Sequence, residues 1–182
     1  MAQREIIKVP NQKLNTICEK VNFKTDGEEV KKLVSDLIDT LETAKPKGAG
    51  LAAPQIGILK RVCIAKKFSL DPKNPENELD TNFILINPEI ITKSEPTSLG
   101  WEGCLSIPDT YGQVDRSKRI KIEAFDINGN KFSLKADGFF ARVILHEIDH
   151  MNGILFTSKI VGKTLTESQL DELFKKEEAL NG

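Results

Sequence analysis

The chain has 182 residues, 39% hydrophobic and 29% charged, the proportions of an ordinary soluble domain. Lys and Arg number 26 against 27 Asp and Glu, a net charge of -1, so the totals point to neither a nucleic-acid nor a membrane surface. Cys18, Cys63 and Cys104 are too few and too irregularly spaced for a disulfide framework, and "MAQREIIKVP" has neither a long apolar run nor a small-residue cleavage site. The expectation is a single domain over residues 1–182 in a reducing cytoplasm.

After a turn-like start, "DGEEVKKLVSDLIDTLETAKPKG" sets Val30, Leu33, Val34, Leu37, Ile38 and Leu41 at helical spacing, with acidic residues first and Pro46 and Gly48 at its end. "GAGLAAPQIG" (48–57) then gathers small residues around one amide, Gln55. Glycines let backbone approach a ligand closely, and an uncharged amide can donate to an oxyanion. Taken alone, the stretch reads more simply as a helix-to-strand connection with a surface glutamine. "KRVCIAKK" and "NFILINPEII" are strand-like, separated by the polar loop "SLDPKNPENELDT". "SLGWEGCLSIP" follows, with Cys104 in a Gly-rich turn between strands. "RIKIEAFDINGNKFSLKA" is a hairpin with Asn128-Gly129 between its strands. "DGFFARVILHEIDHMNG" returns to helical period, with Phe139, Val143, His146 and His150 on one face, Asp137 as N-cap and Gly153 as C-cap. The helix "TESQLDELFKKEEAL" closes the chain; its KK and EE pairs read as a solvated face. The fold class is α+β: antiparallel sheets around a central helix, with an N-terminal and a C-terminal helix.

Both histidines of the chain lie in "HEIDH", at 146 and 150. Positions i and i+4 of a helix share a face within reach of one metal ion, and Glu147 sits beside that ion, placed to act on water there. A catalytic site needs a third protein ligand. No third histidine exists. Cys63 lies in an apolar strand, where cysteine is a small core residue, and Cys18 in a polar N-terminal stretch. Cys104 remains, against Glu167 or Glu172 on the following helix, and spacing alone leaves those alternatives level. With a downstream glutamate as ligand, the chain would read as a zinc endopeptidase; with a closed site, as a non-catalytic metal-binding domain.

Three motifs in order resemble the peptide deformylases. G-x-G-L-A-A-x-Q is matched by Gly48, Gly50, Leu51, Ala52, Ala53 and Gln55; E-G-C-L-S by Glu102 through Ser106; and H-E-x-x-H by His146, Glu147, Asp149 and His150. The resemblance covers essentially the whole chain and is nearest the first bacterial and organellar class. It implies a hydrolase that removes the formyl group from the initiator methionine of nascent proteins, releasing formate. It implies Cys104, His146 and His150 as ligands of one divalent ion, Fe2+ in the cell, with Ni2+, Co2+ or Zn2+ able to replace it. Glu147 would move the protons, and the Gln55 side chain and Leu105 N–H would serve the oxyanion. The substrate pocket is expected from Ala49, Gly50, Trp101, Glu102, Gly103, Phe139 and Val143, with Trp101 as core or lid. Partners are N-formylmethionyl peptides and, transiently, the ribosome. Two positions depart from the family: Leu145 stands where a glutamine usually precedes the first histidine, and Tyr111 where many bacterial members have a peptide-holding arginine. Asp149 is expected in a helix-surface ion pair with Arg116 or Arg142.

Overall fold

Val62, Cys63, Ile64 and Ala65 are all fully buried, an unbroken run that alternation between core and solvent would forbid. The reason lies in what flanks their strand. A computed structural model describes residues 3–71, 74 and 78–181. Its elements are α1 (Phe23–Thr43), β1 (Gly50–Ala52), β2 (Val62–Leu70), β3 (Glu78–Lys93), β4 (Thr97–Cys104), β5 (Ile107–Ser117), β6 (Arg119–Phe125), β7 (Lys131–Asp137), α2 (Gly138–Met151) and α3 (Glu167–Asn181). Five strands form an antiparallel sheet in the order β1-β2-β3-β6-β7, and β4 pairs with β5 in a separate antiparallel ribbon. One face of the large sheet carries Val62, Ile64 and Ile86 against Val30, Leu33, Val34, Leu37 and Leu41 of α1. The opposite face carries Cys63, Ala65, Leu85, Ile122 and Ala124 against Phe140, Ile144 and Ile148 of α2. The first half of β2 is therefore covered on both sides, which is why residues 62–65 are apolar without a break.

Several boundaries differ from those read in the sequence. Helix α1 starts at Phe23, ahead of the acidic run, because the Asn22 side chain accepts from Lys24 N and the Phe23 ring packs 5.5 Å from that of Phe125. The polar loop is shorter than expected: Ser69 and Leu70 end β2 and Glu78–Thr81 begin β3, paired in register. Residues 72, 73 and 75–77 of that loop lie outside the described residues. Asp137 occupies the N-cap of α2 without a side-chain hydrogen bond, and the C-cap is Asn152, with Gly153 one residue beyond. Cys104 ends strand β4 instead of sitting in a turn. The β6–β7 hairpin forms as expected; the Asp126 carboxylate organises its turn by accepting from Asn128 N and Asn130 N. Cys18, although drawn from a polar stretch, is buried in the α2-side core.

Ile144 is fully buried where α2 meets the sheet. Ile144→Ala should cost about 2–5 kcal/mol, read as a lower urea midpoint at unchanged slope.

Candidate active site

Three elements converge on one point. Strand β4 ends at Cys104, helix α2 presents His146 and His150 one turn apart, and the short turn Ala53–Ile56 after β1 presents Gln55. The Cys104, His146 and His150 donor atoms all lie within 4.8 Å of one another. Cys104 Sγ is 3.2 Å from His150 Nε2. A tetrahedral ion at ordinary bond lengths separates its donors by about 3.5 Å, so the spacing fits a metal. The rival carboxylates do not reach: Glu167 and Glu172 are exposed on α3 and belong to no such cluster among the described residues.

Charge agrees with spacing. Burial would push the His146 imidazole down, but hydrogen bonds to Cys104 and Glu102 overcome this and raise it to about 10. The cluster draws in positive charge, and a divalent cation meets the same demand. Burial, with His146 and Arg116 nearby, drives His150 well below its ordinary value and keeps it neutral, as a ligand must be. Burial pushes the Glu147 carboxyl up to about 7, with Glu102 adding to the rise and His146 and Arg116 opposing it. Its Oε2 is buried without a hydrogen-bond partner among the described residues. Gly50 explains how the carboxylate fits: a Cβ there would lie 2.8 Å from Glu147 Cδ, so β1 can run against the carboxylate only as glycine.

Gln55 is not on the surface. It is 2% exposed, its Oε1 accepts from Ala52 N at 2.9 Å, and its Nε2 donates to Ser106 Oγ at 3.3 Å and Cys104 Sγ at 3.5 Å. The carbonyl end is thus tied to backbone while the N–H end faces the metal cluster.

Behind the histidines lies a buried ionic network. Arg116 donates from Nε and Nη2 to the two oxygens of Glu102, both at 2.9 Å, and from Nη1 to Asp149. Arg142 Nη1 donates to Glu102 Oε1 at 2.9 Å, and Lys159 Nζ reaches both Asp149 oxygens at 2.7 Å. His146 Nδ1 is 3.0 Å from Glu102 Oε2, so Nδ1–H donates to that carboxylate and Nε2 is left for the cluster. Burial alone would raise the Glu102 carboxyl; Arg116 and His146 reverse that and hold it at about 2. Two expectations change here. Asp149 is buried, not on the helix surface, because Arg116 and Lys159 cover it. Glu102 borders the cavity beside the metal donors, yet its carboxylate is occupied by Arg116, Arg142 and His146. Leu145, the departure beside His146, is buried in the α2-side core.

Ala49, Gly50, Trp101, Glu102, Gly103, Phe139 and Val143 line one cavity of about 130 Å³ that also reaches Gln55, Cys104, Leu105, His146 and Glu147. Trp101 is half-buried in that wall. A wider groove of about 1060 Å³ continues from Cys104 and Leu105 past Lys45 and Tyr111. Tyr111 is anchored there by paired backbone hydrogen bonds with Leu165, both 2.9 Å.

Fold and donor set together describe a metal-dependent hydrolase. The chain belongs to the polypeptide deformylase family, whose model matches residues 3–165. It is 41% identical to peptide deformylase 1 of Bacillus subtilis (strain 168) over 173 residues, covering 95% of this chain and 99% of that protein. With the peptide deformylase of Thermomicrobium roseum it shares 38% identity over 183 residues, 100% of this chain and 99% of the other. Among solved structures, a Met-Ala-Ser-bound class I type b peptide deformylase from Acinetobacter baumannii superposes with a TM-score of 0.77 at 33% identity, covering 87% of this chain and 99% of that one. The peptide deformylase from Thermotoga maritima gives 0.76 at 31% identity, covering 89% and 100%. The chain is accordingly an enzyme that removes the N-formyl group from the terminal methionine of new proteins.

The network predicts its own sensitivity. Arg116→Met removes the partner that Glu102 and Asp149 share, leaving each with one cation in a buried setting, and chemical denaturation should show a loss of about 3 kcal/mol.

Proposed function

We propose that residues 1–182 act as a single catalytic domain in which Cys104, His146 and His150 hold one divalent ion. The observation that carries this is the convergence of a thiol and two imidazoles within 4.8 Å, beside a buried carboxylate. The likeness to the family favours Fe2+ as the cellular metal, with Ni2+, Co2+ or Zn2+ as substitutes. An ion in this donor set supplies Lewis acidity, which makes water more acidic and polarises a carbonyl.

The chain's own groups divide the remaining work. Glu147 accepts the proton of the attacking water and passes it to the departing amine, so formate and a free amino terminus result. The Gln55 amide, locked by Ala52 N and Ser106 Oγ, donates to the oxygen that gains charge at the formyl carbon. Leu105 N–H, next along the chain from Cys104, is the second donor. The methionine side chain enters the cavity bounded by Ala49, Gly50, Trp101, Gly103, Phe139 and Val143. The rest of the peptide follows the groove past Tyr111. The Met-Ala-Ser bound to the Acinetobacter baumannii relative supports a tripeptide-length product in that path. No helix among the described residues is long and apolar enough to cross a membrane. The cytoplasm, where formylated chains emerge, is the proposed compartment, with transient ribosome contact during processing.

Two measurements test this assignment. With Glu147→Ala, metal content should stay at one per chain while formate release falls about 10²–10⁴-fold; Cys104→Ala should lose metal and activity together, and Glu167→Ala neither. Near-normal turnover in the Glu147 variant would remove the carboxylate from the reaction. For the cavity, Phe139 is 56% exposed and safe to truncate. Phe139→Ala should reduce the preference for formyl-Met over formyl-Ala peptides by about fivefold, as expected for loss of part of an apolar wall.

A further inference from the structure

Arg142 lies on the same side of α2 as Val143 and His146, one turn beyond Phe139, and borders the methionine cavity with them. It is 7% exposed. Its side chain crosses from the helix to the β4–β5 ribbon, where Nη1 donates to Glu102 Oε1 at 2.9 Å, Val114 O at 2.8 Å and Gly100 O at 3.3 Å. Nη2 donates to Ser98 O at 2.7 Å. Gly100 makes this crossing possible. A Cβ at that position would lie 2.8 Å from Arg142 Nη2 and 2.9 Å from Cζ, so the guanidinium fills the place of a side chain on residue 100. Along β4, Ser98, Gly100 and Glu102 share one face, and Arg142 of α2 bonds to all three. Where hydrocarbon would be expected beside Trp101, Phe139 and Val143, the wall therefore contains a guanidinium paired with the Glu102 carboxylate, which lines the same cavity.

We infer that Arg142 is a specificity-determining residue, a polar, ion-paired wall that favours the thioether of methionine over an all-carbon chain of the same shape. Sulfur is polarisable and carries acceptor lone pairs; a methylene has neither. The guanidinium stays charged at every working pH, and with Glu102 it presents a dipolar wall that a polarisable sulfur meets better than a methylene does. A purely hydrocarbon wall would reward the more apolar norleucine instead. The inference rests on methionine occupying this cavity.

The experiment measures kcat/KM of the metal-loaded enzyme on formyl-Met-Ala-Ser and formyl-norleucyl-Ala-Ser, with metal content determined for each variant. Wild type should prefer methionine by about fivefold, in the range of contacts to a polarisable sulfur. Arg142→Leu should bring the ratio to one or below at full metal content, whereas an arginine that only braces Glu102 would lower both rates and leave their ratio alone. Should Arg142→Leu fail to fold, Gly100→Ala provides the second arm: its Cβ must displace the flexible guanidinium, and the ratio should shift at least twofold. Equal rates in wild type, or an unchanged ratio in both variants, overturn the inference. Phe139→Ala, assayed in parallel, tells the two levels apart. If it alters methionine selectivity and the Arg142 and Gly100 variants do not, Arg142 is a brace and the cavity assignment stands. If none of them does, methionine binds elsewhere and both readings fall.

Discussion

Glu102 is the carboxylate on which the site's geometry depends. It accepts from two arginines and faces the first histidine, on elements that are separate in the chain: β5, α2 and its own β4. Burying such charges costs several kcal/mol for each ion, and an apolar replacement could equal the network in stability. What an apolar core would not supply is direction. Carboxylate and guanidinium planes meet in one geometry, so Glu102 fixes which nitrogen of His146 is free and where it points. Asp149 extends this from the helix side, taking Arg116 and Lys159 and so tying α2 to the same set of charges.

The double-sided burial of β2 gives this arrangement a rigid base. Helix α1 packs on one face and α2 on the other, so the helix bearing the histidines cannot slide without moving the sheet it covers. Strand β1 is the edge strand of that sheet, and its turn delivers Gln55 against Cys104 and Ser106 of the β4–β5 ribbon. Donor, carboxylate and ligands thus come from three separately anchored elements.

Much of this was legible in the sequence, for reasons that differ from element to element. "HEIDH" and the helical face running from Phe139 to His150 are local patterns, and local patterns survive into structure. The β6–β7 hairpin follows from its own turn residues. The family resemblance named the motif that carries Cys104 where spacing had left it level with two glutamates. Long-range matters were not legible. Arg116 and Arg142 stand 14 and 40 residues from Glu102, and no periodicity links them. Asp149 read as a surface charge because the partners that bury it come from β5 and from beyond the end of α2. Phe23 joined α1 through a ring contact with Phe125, a hundred residues away. The ends of β2 and β3 extend through polar residues because cross-strand pairing, not hydrophobicity, holds them there.

Gly50 has a consequence for how this enzyme can vary. The strand and the carboxylate of Glu147 are in contact with no side chain between them, so neither can adjust alone. Lineages that drift at position 50 would have to relocate the acid, and those that lengthen the acid would have to bend the strand. The two positions, 97 residues apart, are in effect one heritable unit. A compound that presses into this contact meets backbone and a carboxylate, and resistance by substitution at position 50 would disable the enzyme along with the compound's site.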